Sequence, residues 1–388
     1  MGMSLFSNES FNQLVIVMDV QSSLVRGSLV MLKRGALPNV IFTYTASVPW
    51  KPHTDYNYLV KMTLRAVSET MNVCLRNFHS HLASEHVPKK IGAIHYVLSS
   101  PWIVSQAKTL STELPKEMVV TEAYVEKIIG EEKRMMLPSN EVDNVAIEQK
   151  IFNIKLNGYS VAEWVGKSAL NIDVSYTISI ANSRMIENLK DISSSAIHRI
   201  PVQFHSSTLL QFIGMRICQP NRGQYVLAHI HGEFTDVAVM DNHACIYFAS
   251  YPLGVRNMIR KIALATGTDQ HAADSLLTLY VGGHIDAAHS SGQIDAIHSI
   301  GNGWMNALKK ALAEQNALSL DSSLDSLRCI ISAVAHEEFF VKCLREAYPK
   351  SRVNTLSVED ILPHVAFSDR AERSRLVGVY AVALSSML

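Results

Sequence analysis

The stretch that decides the fold is LVIVMDVQSSLVRGSLVML, residues 14–32. Two apolar runs rich in β-branched residues flank the short polar segment Gln21-Ser22-Ser23, and Asp19 stands where the first run ends. Apolar runs of this length on either side of a short polar segment are typical of a β-hairpin. The sequence therefore predicts two paired strands with a carboxylate beside the turn.

The same order of elements occurs a second time along the chain. After the first hairpin, residues 39–46 predict a third strand, and apolar residues at helical spacing predict a helix over 58–82. In the second half, an apolar run at 225–230 enters a polar turn, a strand follows at 237–240, and a third β run and a helix come after it. The sequence predicts a duplicated α/β architecture, because the spacing is too long for a solenoid repeat.

Length and composition set limits on the class of protein. The chain has 388 residues, which favours two or more domains, and its formal net charge is zero. Without a basic surplus, we expect no nucleic-acid partner. Five scattered cysteines without a CxxC pair are typical of a reduced compartment. The first residues lack the basic start of a signal peptide, and no apolar run reaches the ~18–20 residues of a membrane helix. We therefore expect a cytoplasmic protein.

The two predicted hairpin tips have the composition of phosphate-binding turns. Small hydroxyl residues and free backbone N–H groups can bind a phosphate, and two tips facing each other across a cleft can bind a nucleoside triphosphate. Asp19 and Asp236, each at a strand end, could hold Mg²⁺ or a water molecule. The alternative is that these residues satisfy backbone donors within their own turns. The recurrence of the pattern favours a phosphate site.

Three motifs carry a family resemblance. DVQSSLVR (residues 19–26) and HIHGEFTD (229–236) are similar to the two phosphate motifs of the actin-like ATPase superfamily, and YPLG (251–254) is similar to its P-x-G-G turn. The terminal YAVALSSML (380–388) is similar to the last helix of that superfamily. The chain resembles the bacterial branch that contains FtsA and PilM, over nearly its whole length and in the same order.

The resemblance implies an α/β fold of the actin-like kind: duplicated ribonuclease-H-like domains around a cleft, with an inserted SHS2-type 1C subdomain. SSPWIVSQAKTL (99–110) and VVTEAYVEKII (119–129) indicate the insert. We expect subdomain 1A at 1–85, 166–205 and 366–388, the insert at 86–165, subdomain 2A at 206–255 and 321–365, and subdomain 2B at 256–320.

The motif matches also imply a set of nucleotide-binding residues: Asp19, Gln21, Ser22, Ser23, Arg26, Gly232, Glu233, Thr235, Asp236 and Gly254. Asp19 and Asp236 would hold Mg²⁺. No catalytic residue is assigned unless the protein is an ATPase, in which case the same two aspartates would position the metal and the attacking water. The cofactors implied are ATP and Mg²⁺, or neither.

Departures from the motifs lie where the phosphates would bind. Gln21 stands in place of a glycine, and its side chain would crowd the phosphate. His229 replaces an aspartate, and residues 231, 233 and 234 replace two glycines and a threonine. Glu233 would place a negative charge beside a polyphosphate. Residues 330–336 (IISAVAH) lack the Gly-Gly turn that faces the adenosine in the family. We therefore expect an eroded ATP site and at most a weak ATPase.

Two further sites have open alternatives. Trp102 and Ile103 follow a predicted strand and a proline, which suits a peptide-binding groove, but Trp102 could equally cover the core of the insert. His229 and His231 share one face of a strand and could bind a metal with Asp236, although strand histidines are more often packed or exposed residues.

The last helix bears on how the protein reaches a membrane. LVGVYAVALSSML (376–388) follows no linker and has no basic and aromatic face, which favours packing in the core over direct membrane insertion. The resemblance then implies that a short peptide of a membrane protein docks on the 1C subdomain. The protein would be recruited in this way to the inner face of the membrane.

Three functions follow from these observations. The first is a cytoplasmic scaffold that forms dimers or filaments and serves type IV pilus assembly or cell division, with nucleotide as a structural ligand or absent. The alternative is an active ATP-binding and hydrolysing filament protein. The third, a sugar- or acetate-kinase-like enzyme, has the least support because the insert matches the scaffold branch.

Overall fold

The computed structural model describes residues 12–51, 55–81, 88–136, 143–219, 223–241, 244–285, 291–313 and 328–388. The first half contains β1 (Asn12–Val20), β2 (Leu24–Lys33), β3 (Asn39–Ser47), α1 (Tyr56–His81), β4 (Ile91–Leu98), β5 (Ile103–Val119), α2 (Glu122–Met136), β6 (Asn144–Leu156), β7 (Tyr159–Ser160), β8 (Ser168–Asn182), α3 (Ser183–Ala196) and β9 (Val202–Ser206). The second half contains α4 (Ser207–Cys218), β10 (Tyr225–Ile230), β11 (Thr235–Asp241), β12 (Ala244–Tyr251), α5 (Val255–Thr266), α6 (Gln270–Val281), α7 (Ser291–Ala313), β13 (Arg328–Ala333), α8 (Glu337–Ala347), β14 (Arg352–Thr355), β15 (Ala366–Phe367) and α9 (Arg375–Ser385).

Two large sheets repeat one arrangement of strands. The first sheet has the order β15-β3-β2-β1-β4-β9, and the second has the order β12-β11-β10-β13-β14. In each sheet an antiparallel hairpin, β1–β2 or β10–β11, is extended by an antiparallel strand on one side and two parallel strands on the other. The duplication predicted from the sequence is confirmed, and both hairpins lie at the same place in their sheets.

A third sheet, with the order β5-β8-β6-β7, is covered on one face by α2. This helix begins as predicted after Thr121, whose hydroxyl accepts a hydrogen bond from the Tyr124 backbone N–H at 3.2 Å. Apolar residues at alternate positions of β8, such as Ile172 and Val174, pack against Val125 of α2. The sheet and helix form a small unit with a core of its own.

The bounds of this unit differ from the predicted insert at 86–165. β4 lies within the range predicted for the insert but belongs to the first sheet, because it pairs in parallel with β1. β8 lies within the range predicted for subdomain 1A but is an inner strand of the third sheet. The boundaries predicted at 85/86 and 320/321 fall outside the described residues. The identification of the unit as an SHS2-type subdomain remains a prediction.

Helices α4 and α9 lie between the two large sheets and form the core that joins them. Val15 and Val97 of the first sheet and Leu227 and Ile330 of the second belong to one buried cluster with these helices. All residues of α9 from 376 to 384 are buried. The last helix is therefore a core helix, as the sequence favours. Among the described residues, no helix is both long and apolar enough to cross a membrane.

The outer faces of the large sheets are covered by further helices. Helices α1 and α3 pack on the first sheet, and α5, α6, α7 and α8 pack on the second. Both hairpins are thus held at the centre of a layered α/β structure, and their tips project toward the junction of the two halves.

The close packing of α4 on α9 gives a first prediction. A Cβ at Gly214 of α4 would lie 2.5 Å from the Val379 carbonyl oxygen of α9, so Gly214→Ala should force the helices apart and cost about 1–3 kcal/mol. Gly130→Ala in α2 is the matched control, because nothing lies within 4 Å of that position. Both variants gain helix propensity, so their difference in urea-unfolding free energy isolates the contact. Equal stability of the two variants would contradict the packing described.

Candidate functional site

The first hairpin holds a buried carboxylate among its own neighbours. Asp19 of β1 is fully buried. The side-chain amide of Gln21 donates to Asp19 Oδ2 at 2.8 Å, and the guanidinium of Arg26 lies 3.5 Å from the same oxygen. Burial raises the pKa of Asp19, and the charge of Arg26 and the hydrogen bond from Gln21 oppose this rise. The Gln21 side chain fills the space that a glycine would leave open.

The second hairpin contains two buried histidines in edge-to-face contact. The rings of His229 on β10 and His231 in the turn have centroids 4.1 Å apart. His229 Nδ1 lies 3.2 Å from the carbonyl oxygen of Ser332, so Nδ1 donates and Nε2 is an acceptor. This Nε2 has no hydrogen-bond partner within the described part of the chain. Burial and the neighbouring His231 lower the pKa of His229 well below its ordinary value, so the ring is held neutral.

His231 connects the two hairpins. Its Nε2 lies 2.8 Å from Asp236 Oδ2, and its Nδ1 lies 3.4 Å from Gln21 Oε1. Both ring nitrogens thus face side-chain oxygen atoms. Burial raises the pKa of Asp236, but the charge of His231 and hydrogen bonds from His231 and Ser100 outweigh it and lower that pKa to about 2. A chain of polar contacts therefore runs from Asp19 to Asp236.

The two hairpin tips touch each other directly. The backbone N–H of Glu233 donates to Ser22 Oγ at 3.0 Å, and the guanidinium of Arg256 donates to the Ser23 carbonyl oxygen at 3.0 Å. A Cβ at Gly232 would lie 2.4 Å from Ser23 Cβ, so this approach requires glycine. No space for a phosphate group remains between Ser23 and Gly232.

The N-terminus of α5 closes on the second tip. The backbone N–H groups of residues 254–256 donate to the carbonyl oxygens of residues 231–233 at 2.7–3.1 Å. A helix N-terminus of this kind would otherwise present free N–H groups to an anion. At Gly254 a Cβ would lie 2.5 Å from the Gly232 carbonyl oxygen, so a larger residue would push the helix away.

Two residues predicted to lie near the phosphates use their polar groups inside the protein. The Glu233 carboxylate forms a two-point ion pair with the guanidinium of Arg260 on α5. Thr235 Oγ1 donates to the Leu253 carbonyl oxygen at 2.6 Å and accepts from the Trp304 indole N–H at 3.1 Å. Neither side chain is left to bind a phosphate in this arrangement.

The loop after β13, which was expected to face an adenosine, is fixed by ion pairs. His336 has a φ of 51°, in the left-handed region that favours glycine. Its Nε2 lies 2.7 Å from Asp274 Oδ1 on α6. The neighbouring Glu337 accepts from the Ala333 backbone N–H at 3.1 Å and from the guanidinium of Arg375 at 2.7 Å. The loop is thereby tied to α6 and to α9.

All ten residues predicted to bind nucleotide lie on or beside the two tips, and the structure brings them together. They contact one another and nearby side chains, and Gln21, Arg26 and Asp236 also line cavities beside the tips. Sequence reasoning missed Ser100, Arg256 and Arg260. The spacing of four between the two arginines, which places them on one face of α5, was the available signal.

The predicted partner and metal residues have different surroundings. Trp102 and Ile103 are 2% and 5% exposed and belong to the core under the first sheet, so Trp102 packs in that core and not in the core of the insert. Peptide binding by these two residues remains a prediction. Within the described residues, no group of three or more His, Cys, Asp or Glu side chains is placed to hold a metal ion. Metal binding by Asp19, Asp236 or the histidine pair therefore remains a prediction.

The lowered pKa of His229 predicts a pH dependence of folding. Below the ordinary value of 6.5 the unfolded chain takes up a proton that folded His229 excludes, so stability is full above that pH and is lost as the pH falls. The loss from this residue is ~2 kcal/mol between pH 7 and pH 5. We expect the unfolding free energy, measured in urea at both pH values, to depend less on pH for His229→Asn than for the unchanged protein. The exposed control His198→Asn should show the same pH dependence as the unchanged protein. Equal slopes for all three proteins would contradict a neutral, buried His229.

Comparison with solved structures identifies the fold. The PilM–PilN type IV pilus biogenesis complex matches with a TM-score of 0.62 and 13% identity, over 96% of this chain and 96% of that chain. A diol dehydratase-reactivating factor matches with a TM-score of 0.47 and 8% identity, over 88% and 95%. A Bacteroides thetaiotaomicron protein with an actin-like ATPase fold matches with a TM-score of 0.37 and 8% identity, over 91% and 94%.

These likenesses concern the fold, because the identities are low. No protein-family model matches the chain, and no curated protein sequence matches it. The duplicated sheets, the joining helices α4 and α9 and the match to the PilM structure agree with one another. The chain has an actin-like fold, as its sequence predicts.

Proposed function

We propose that the protein is a cytoplasmic scaffold of the FtsA and PilM kind, which links a membrane-associated machine to the cytoplasm without hydrolysing ATP. The machine would serve type IV pilus assembly or cell division. The observation that carries the proposal is the direct contact of the two hairpin tips through Ser22 and Glu233. This contact engages residues that the motif resemblance assigns to phosphate binding, which supports the proposal.

The space beside the first tip also argues against a bound nucleoside triphosphate. A cavity of about 240 Å³ lies between Gln21, Arg26 and the start of α9. Small-molecule sites usually have about 300–1,000 Å³. Arg26 is engaged with Asp19 and Thr45, and Arg375 with Glu337. Of the three arginines that line this cavity, Arg26 and Arg375 are therefore already paired with protein groups, and the third, Arg373, is exposed.

The partner is proposed from the structural likeness. The solved structure that supports the fold over 96% of this chain is a complex of PilM with PilN. By analogy, a short peptide of a membrane protein would dock on the unit built from the third sheet and α2 and recruit the chain to the membrane. That unit exposes apolar side chains on its strands, among them Val104 at 61% and Leu170 at 46%. Self-association into dimers or filaments completes the proposal.

A working ATPase is the second candidate, and one observation favours it. Asp19 and Asp236 each keep one buried carboxylate oxygen, Oδ1, without a hydrogen-bond partner in the described residues. If the tips separated, these oxygens could meet Mg²⁺ and a water molecule while Ser22 and Thr235 turned toward phosphates. This requires breaking the contacts between the tips.

Nucleotide titration separates the two candidates. A site with micromolar affinity would stabilise the protein by ~4 kcal/mol at ~1 mM MgATP. We expect no saturable heat in calorimetry and no rise of the melting temperature with MgATP, in protein that unfolds cooperatively. Saturable binding that is lost in Asp19→Asn would overturn the eroded site and favour the ATPase.

Photo-crosslinking in cells tests the partner. A photoreactive residue at Val104 on the third sheet should form an adduct with a membrane protein. The same residue at Leu264 on α5, which is 86% exposed, is the control for random collision. We expect the adduct in the membrane fraction from position 104 alone. Equal yields from both positions, or none from 104, would contradict docking on the third sheet.

A further inference from the structure

A second cavity, of about 420 Å³, lies where the three sheets meet. Its walls come from β5 of the third sheet, from β12 of the second sheet, from Ser206 at the end of β9 of the first, and from Thr208 in α4. Both β5 and β12 are outermost strands of their sheets. The volume lies within the usual range of small-molecule sites, about 300–1,000 Å³. The cavity can therefore hold a small ligand in contact with all three sheets.

Hydroxyl groups dominate the polar part of the wall. They belong to Ser100, Ser105, Ser206, Thr208 and Ser250. Ser105 Oγ lies 2.9 Å from Ser179 Oγ and 3.1 Å from Ser206 Oγ, and Ser250 Oγ donates to Ser100 Oγ at 2.9 Å. These contacts orient the oxygens but leave capacity, because each hydroxyl offers one donor and two acceptor positions.

Asp236 lines the same wall and is 6% exposed. Its Oδ2 receives hydrogen bonds from His231 and from the Ser100 backbone N–H. Its Oδ1 has no partner among the described residues, but it is buried and therefore does not face the cavity. The hydroxyl groups of the wall thus carry the polar contacts to a ligand.

The charges of the wall select the ligand's chemical class. The charged residues that line the cavity are Lys108 and Asp236, and each is already paired, Lys108 with Glu132 and Asp236 with His231. A phosphate or carboxylate would meet the Asp236 carboxylate without a free cation to balance it. An ammonium group would meet a carboxylate whose Oδ2 already accepts hydrogen bonds from His231 and Ser100, so it gains little advantage over a hydroxyl.

We propose that this cavity binds a small, uncharged, hydroxyl-rich molecule of the size of a monosaccharide or cyclic polyol. Ligand hydroxyls exchange hydrogen bonds with Ser105 and Ser250. Because the ligand touches three sheets, it favours the arrangement in which β5 and β12 both reach it. The site is separate from the contact between the tips and does not depend on the scaffold role.

Saturation-transfer NMR and calorimetry with glucose, myo-inositol and ribitol test this site. We expect saturable binding of at least one of them. Ser105→Ala and Ser250→Ala should weaken it about 5–10-fold, because each removes one hydrogen bond of about 1 kcal/mol. Thr109→Ala is the matched control. Thr109 Oγ1 lies 3.0 Å from Ser175 Oγ on β5 and β8, the strands that carry Ser105 and Ser179, but Thr109 does not line the cavity. The variant should therefore bind the ligand with the affinity of the unchanged protein.

Three results would overturn the proposal, provided that every variant unfolds cooperatively. Binding of glucosamine or glucose 6-phosphate in preference to all three neutral probes would refute the uncharged class. Binding that neither serine variant weakens, or that Thr109→Ala weakens equally, would refute the location. No saturable binding of any probe by the unchanged protein would refute the site itself.

Discussion

The contact between the two hairpin tips is the interaction on which the centre of the molecule depends. Ser22 and Ser23 meet Glu233 and Gly232 at the ends of two hairpins that occupy equivalent places in the two large sheets. Once such tips touch, water is excluded from their polar groups, and each buried donor or acceptor left alone costs about 1–3 kcal/mol. The partners of residues 21, 231 and 233 are therefore other side chains or backbone groups of the protein.

Charge pairing explains why the unusual residues of the two motifs occur together. The ring nitrogens of His231 face the side-chain oxygens of Gln21 and Asp236. Glu233 would be an unpaired carboxylate without the guanidinium of Arg260. Truncating one member of a buried pair usually costs more than the pair itself contributes, because the other charge is left without a partner. The departures from the phosphate motifs thus form one connected set.

The sequence predicted the fold better than the site, for a physical reason. Hairpins, the duplicated order of elements and the core character of α9 follow from local periodicity, which a sequence displays directly. The contact of Gln21 with His231 joins residues 210 positions apart, and nothing local specifies it. The same limit applies to β4, whose apolar pattern is visible but whose parallel pairing with β1 is not. The sequence likewise leaves two alternatives open for Trp102, and only the fold shows its neighbours in the core under the first sheet.

No single residue accounts for the closed arrangement of the two tips. The backbone N–H groups at the start of α5 donate hydrogen bonds to carbonyl oxygens of the second tip, and the guanidinium of Arg256 donates one to the first tip. A glycine at position 21 or 233 would remove a side chain, yet these donors would stay occupied until the tips separated. Separation would expose the Asp236 and His231 pair to water and break the contacts that join the two halves. These contacts hold the two halves in one fixed relation, and the proposed scaffold, which presents a docking surface, would benefit from such a constant geometry.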